Sequence, residues 1–131
     1  MLRFVLLRHE CPASFAKPSH WDFMLEVEDA LQTWELHDLP NLWAIQCGVP
    51  ARTTSETVCA VRLADHRLTY LDYQGVLSEN RGNVYRYDSG TYELLRQGDD
   101  FVTVRLQGAR LQCDVKVKQY EGSYQLTAKN S

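Results

Sequence analysis

Ser19-His20-Trp21-Asp22-Phe23-Met24-Leu25-Glu26 alternates polar with apolar residues, the signature of a β-strand. Side chains at i and i+2 share one face of a strand. The alternation predicts Trp21, Phe23 and Leu25 directed into a core, with His20 and Asp22 together on the opposite side. An imidazole and a carboxylate held side by side on a rigid strand supply half of a divalent-metal site. A third candidate, His9, closes the preceding apolar run Phe4-Val5-Leu6-Leu7-Arg8. His9, His20 and Asp22 are therefore candidate ligands of one metal ion. The plainer reading of His20 and Asp22 is a surface hydrogen-bonded pair.

The remaining chain continues in short extended pieces. Arg3 to His9 reads as a first strand, and Pro12 and Pro18 make the next stretch a loop. His20 to Val27, Ala30 to Leu36 and Thr57 to Leu63 read as strands, with a turn at Glu28-Asp29. Leu42 to Gln46 reads as another short strand. Val84 to Tyr87 and Thr91 to Leu95 read as two strands separated by a tight turn at Asp88-Ser89-Gly90. Phe101 to Leu106, Leu111 to Val117 and Tyr124 to Ala128 complete the set. No long helical period, repeat or low-complexity tract interrupts them. Many short strands joined by Gly-containing turns predict an all-β fold, a compact closed or nearly closed antiparallel barrel. Such a barrel fills its middle with apolar side chains and carries polar chemistry on an outer face or at its mouth.

At 131 residues, 44% hydrophobic and 24% charged, residues 1–131 are expected to form one domain with its own core. The net charge of -3 argues against coating nucleic acid by bulk electrostatics, though not against gripping a strand end with a few local cations. The opening apolar run stops at Arg8 and His9, far short of a membrane span, and no signal-peptide cleavage pattern follows. A cytoplasmic location is the expectation. The four cysteines, Cys11, Cys47, Cys59 and Cys113, form no C-x-x-C pair, so they are expected to be reduced thiols rather than a structural zinc site.

One further pair carries chemistry. If the stretch after Leu63 stays extended, His66, Leu68, Tyr70 and Asp72 share a face. His66 and Tyr70 would then present an imidazole and a phenol to one anion. The alternative is a packed tyrosine beside a surface histidine. Lys17 is either a solvated charge or a phosphate contact, and His37 is expected at the surface.

Four collinear stretches together resemble the 3'-phosphoesterase domain of bacterial DNA ligase D and its stand-alone relatives. They are Arg3-Phe-Val-Leu-Leu-Arg-His9, His20-Trp-Asp-Phe-Met-Leu-Glu26, Asp65-His-Arg-Leu-Thr-Tyr70 with Tyr73-Gln-Gly-Val-Leu77, and Tyr87-Asp-Ser-Gly-Thr-Tyr-Glu93. The resemblance implies a β-barrel and a manganese-dependent enzyme, with zinc or cobalt as alternatives. Such an enzyme acts on 3' ends of DNA or DNA/RNA strands, with a ligase or repair polymerase as a possible partner and no membrane involvement. It removes a terminal ribonucleoside to leave a 3'-phosphate, then removes the phosphate. His9, His20 and Asp22 fall on the family's metal-ligand positions, and His66 and Tyr70 on positions that hold and activate the phosphate.

The sequence also departs from the family. Met24 stands where the family has an arginine that would grip the phosphate bidentately, Leu7 where it often has Gln, and Ala64 where it often has Glu. Arg67 and Arg81 are the candidates to replace the missing guanidinium. Two other readings compete. One is a catalytically degenerate module that binds a metal or a nucleic-acid end. The other is an iron(II) oxygenase using His20, Asp22 and His66 as a facial triad.

Overall fold

β1 (Arg3–Glu10) and β2 (His20–Val27) form an antiparallel pair in which His9 stands opposite His20, Leu7 opposite Asp22 and Val5 opposite Met24. The computed structural model describes all of residues 1–131. β3 (Ala30–Leu36) returns from β2 through Glu28-Asp29, where Glu28 adopts a positive φ of 57°. The chain then forms α1 (Asn41–Cys47), β4 (Thr57–His66), a short 3₁₀ turn (Leu68–Leu71), β5 (Gly75–Val76), β6 (Asn83–Gln97), β7 (Phe101–Gly108), β8 (Gln112–Tyr120) and β9 (Ser123–Lys129).

Hydrogen bonding runs β1-β2-β3-β4-β9-β8-β7-β6, and β6 pairs back onto β1. The result is the expected closed antiparallel barrel of eight strands, with two-residue β5 added to β6. Alternate residues of each strand fill the interior. Phe4 and Leu6 from β1, Phe23 and Leu25 from β2 and Trp34 and Leu36 from β3 are all buried there. Trp43 of α1 joins them, with its ring 5.0 Å from that of Phe23.

Three local expectations are overturned. Leu42 to Gln46 is helical, not a strand. The helix begins after Pro40 and ends at Gly48, whose φ of 70° gives a left-handed cap, so Pro40 marks its start and Gly48 its end. Trp43, Ala44 and Cys47 bury one side of it, and the Glu56 carboxylate accepts the Leu42 N–H at 2.7 Å. Asp88-Ser89-Gly90 is not a turn but lies inside the 15-residue strand β6. Asp88 Oδ2 instead accepts the N–H groups of Arg110 (3.1 Å) and Leu111 (2.7 Å) in the β7–β8 turn. Gly90 sits where a Cβ would lie 2.3 Å from the Gln107 carbonyl oxygen. Finally, the chain does not stay extended past His66. Leu68 and Leu71, three residues apart, face the same way in a 3₁₀ turn and pack onto the sheet.

That packing produces a second apolar cluster on the outside of the barrel. Val5, Leu7, Met24, Leu31, Leu71, Leu77 and Val84 form it, with Leu68 and Tyr70 against its rim. Strand β2 is consequently buried on both faces from His20 to Leu25. Trp21, Phe23 and Leu25 point inward as expected, but His20 and Asp22 lie beneath cover and not on an open surface.

Candidate functional site

The outer face of β2 carries His20, Asp22 and Met24 in a row, and pairing with the neighbouring strands fixes what stands beside them. His9 flanks His20 on β1, and the two rings lie 4.8 Å apart, edge to face. Glu35 of β3 stands directly opposite Asp22. His20 is 2% exposed, Asp22 4% and Glu35 7%.

His20 Nδ1 lies 2.9 Å from the Pro18 carbonyl oxygen. A carbonyl only accepts, so Nδ1 carries a proton, and in the neutral ring Nε2 is the nitrogen left with a lone pair. Nε2 points at Asp22 Oδ1 (3.4 Å) and Glu35 Oε1 (3.5 Å). Burial works against a charged His20. The Asp22 carboxylate, the Pro18 carbonyl and the Glu35 charge outweigh it, the imidazole titrates above its ordinary value, and its charged form carries on Nε2 the proton that a metal ion would replace. Asp22 Oδ1 is buried with no hydrogen-bond partner. His9 Nε2–H donates to the Arg81 carbonyl at 2.7 Å, which leaves His9 Nδ1 unprotonated by the same argument.

Two overlapping groups of donors therefore meet at His20. One is His9, Cys11 and His20, and the other is His20, Asp22 and Glu35. Within each, the donor atoms lie within 4.8 Å of one another. The expected trio of His9, His20 and Asp22 is divided between them, with His20 common to both. Burial together with the Asp22 and Glu35 carboxylates pushes the Cys11 thiol up, so it stays protonated near neutrality. These residues fit a divalent cation: bare imidazole nitrogens and an orphaned carboxylate oxygen are what a cation would satisfy.

The sequence reading missed Glu35. Its signal lay in the hairpin count, because Val27 pairs with Ala30 across the turn and the same register brings Asp22 opposite Glu35. Lys17 is no free phosphate contact here, since its ammonium meets Glu35 Oε1 at 3.0 Å. His37 is a surface residue 3.8 Å from Glu35 Oε2.

His66 and Tyr70 also come together, by the 3₁₀ turn and not by a shared strand face. Their rings lie 5.6 Å apart. His66 Nδ1–H donates to the Ala64 carbonyl at 2.9 Å, which leaves Nε2 bare. Tyr70 lines an open cleft of about 290 Å³ together with Arg67, Tyr73 and Arg81. Arg81 is fixed by bonds from its guanidinium to the Ser78 carbonyl (2.9 Å) and hydroxyl (3.0 Å). The Arg81 carbonyl is the acceptor for His9, so the cleft and the His20 group share a direct link.

Met24 lies between these two halves. It follows Asp22 on the outer face of β2, and Glu26, next along, is linked through Leu31 to the row of His66. Met24 is 1% exposed and Leu7 is fully buried, both in the outer apolar cluster. His66 belongs to neither donor group, so the structure does not assemble the His20, Asp22, His66 facial triad.

Comparison with known proteins adds a family. Residues 9–128 match the model of the DNA ligase D 3'-phosphoesterase domain. The "Multifunctional non-homologous end joining DNA repair protein LigD" of Mycobacterium tuberculosis is 30% identical over 116 residues. The "Multifunctional non-homologous end joining protein LigD" of Mycobacterium bovis is similar to the same degree. In both, the match covers 82% of this chain but only 13% of the longer protein.

Proposed function

The chain belongs to the DNA ligase D 3'-phosphoesterase domain family, and from that premise we propose that it is a metal-dependent phosphoesterase acting on 3' ends in DNA repair. The observation that carries this reading is the buried couple of His20 and Asp22, a bare imidazole nitrogen facing an orphaned carboxylate oxygen at 3.4 Å. In this reading residues 1–131 act as one unit in the cytoplasm, with 3'-terminal DNA or DNA/RNA strands as substrate and a ligase or polymerase as working partner.

His9, His20 and Asp22 would hold a manganese ion, or zinc or cobalt in its stead. A divalent cation there supplies Lewis acidity toward a phosphate oxygen. The protein's own groups do the rest. Arg67 and Arg81 draw the phosphate into the cleft they share with Tyr70. The Tyr70 hydroxyl donates a hydrogen bond to a non-bridging oxygen. Water attacks the phosphorus as the bond to the 3'-oxygen breaks, and His66, once protonated on Nε2, delivers that proton to the departing 3'-oxygen. Met24 contributes no charge, so the only guanidinium groups available to the phosphate are those of the cleft arginines. A primer ending in a 3'-phosphate, incubated with protein and manganese, should release inorganic phosphate, and His20→Ala should stop the release. Equal rates for the two proteins would overturn the reading.

A second reading rests on a specific observation. Met24 and Leu7, at positions where the resemblance expects polar side chains, are sealed within apolar contacts. A module that binds 3'-phosphate ends without hydrolysing them would need no guanidinium at position 24. Binding of a 3'-phosphorylated oligonucleotide with no phosphate release over hours would favour this reading.

A further inference from the structure

We propose that Glu35 is an additional ligand of the metal held by His20 and Asp22, and that Lys17 is the resident counter-charge which the ion displaces. The inference rests on the metal reading of the site given above and extends it to two residues outside the expected trio.

Asp22 and Glu35 are direct cross-strand partners. Like charges in that relationship repel, and burying two uncompensated carboxylates is costly in its own right. Something cationic has to stand between them. The groups in reach are His20 Nε2, at 3.4 and 3.5 Å, the Lys17 ammonium, which touches Glu35 alone, and the exposed His37 ring, 3.8 Å from the other Glu35 oxygen. Asp22 Oδ1 is left with no hydrogen-bond partner. The Pro18 carbonyl holds a His20 proton on Nδ1, so in the neutral ring Nε2 offers a lone pair, and the donor atoms of His20, Asp22 and Glu35 lie within 4.8 Å of one another.

The spacing suits a cation. Metal–ligand bonds of about 2.1 Å at tetrahedral to octahedral angles set neighbouring donors roughly 3.0–3.5 Å apart. The two carboxylates and neutral imidazole carry two negative charges, which a divalent ion cancels and a monovalent ammonium does not. Lys17 can leave at small cost, because its side chain is 46% exposed and its ammonium regains water on swinging out. The loop bearing it, between Pro12 and Pro18, belongs to no strand or helix.

The test is manganese binding, read from the loss of the free Mn²⁺ electron-resonance signal and by calorimetry, with folding checked by circular dichroism. Wild type should take up one equivalent, His20→Ala should lose it, and isosteric Glu35→Gln should bind about tenfold or more weakly. Lys17→Met, on an exposed loop, should bind several-fold more tightly. Wild-type affinity in Glu35→Gln with loss in His20→Ala would overturn the role of Glu35 and leave the metal reading standing. Weakening by Cys11→Ser but not by Glu35→Gln would overturn it too, placing the ion on the His9 side. Unchanged affinity in Lys17→Met would overturn the counter-charge role. No binding by wild type would overturn the metal reading itself, and this extension with it.

Discussion

Asp22 on β2 faces Glu35 on β3 as a direct cross-strand pair, and each is more than nine-tenths buried. Two carboxylates in that position weaken a sheet unless a cation separates them. In the proposed metal reading this relationship couples the stability of the barrel to the occupancy of the site, and it gives the first prediction its sign.

Metal removal should destabilise the protein. A ligand that binds only the folded state adds about 2.7 kcal/mol at one hundred times its Kd. Calorimetric melting of chelator-treated protein should show a lower Tm than the same sample with excess manganese. In the chelated state Glu35→Gln should melt above wild type, because it removes one of the two opposed charges. Identical melting curves with and without manganese would contradict this.

Met24→Arg should introduce the residue that the resemblance implies here and damage the fold. The guanidinium would enter the apolar side chains of Val5, Leu7, Leu31, Leu71 and Leu77, and to reach Asp22, two residues before it on the same face, it would have to take that carboxylate from His20. An unpaired buried charge costs about 3–5 kcal/mol. Urea unfolding would detect that loss as a shifted midpoint. A loss under about 1 kcal/mol would mean that the 3₁₀ segment lifts away easily and that Met24 is not sealed in.

Asp88→Ala should cost about 2 kcal/mol or more. The variant leaves the N–H groups of Arg110 and Leu111 without their acceptor, and an unsatisfied buried donor costs about 1–3 kcal/mol. Hydrogen exchange at these two amides should accelerate more than exchange in β2. Uniform acceleration across the barrel would show that the carboxylate supports the whole fold and not this turn.

Acid should selectively remove the contribution of Asp114. Hydrogen bonds from Arg105, at 2.8 and 3.2 Å, hold its carboxyl below the usual value against a small opposing effect of burial, with help from Ser131 and Lys129. A depressed carboxylate stabilises the folded state above its unfolded pKa, about 3.9, and loses that effect as pH falls through the folded value. Wild type should therefore exceed Arg105→Gln modestly at neutral pH, since the pair is partly exposed. The two should converge as pH falls through the lowered folded value, which thermal melts at successive pH values would show.

The strands were legible because burial on one side writes a period of two into the sequence. Trp21, Phe23 and Leu25 point inward as the alternation requires. What the alternation could not reveal is a cover on the other side. Met24 and Leu7 look like ordinary strand residues until Leu71 and Leu77, distant in sequence, close over them. Helix α1 was missed because seven residues give too short a window for its period, and Pro40 and Gly48 signal a break as readily as a boundary. Asp88 and Gly90 have turn-forming composition, but their roles are long-range: one accepts hydrogen bonds from another turn, and the other lets a strand approach closely. In the site, His9, His20 and Asp22 could be named from one strand and its predecessor. Glu35 needed the register of the β2–β3 hairpin, and the contact of Lys17 with it needed a loop path that only the fold supplies.

The two-sided burial of β2 has a consequence for how the molecule acquires its native form. Sliding this strand by one position against β1 and β3 would send the imidazole and carboxylate into the oily interior and turn Trp21 and Phe23 outward. A chain caught in such a misaligned state could not gather the donors around His20. Uptake of a cation would thus certify correct alignment of the ribbon, and during refolding the ion would act as a proofreader for it.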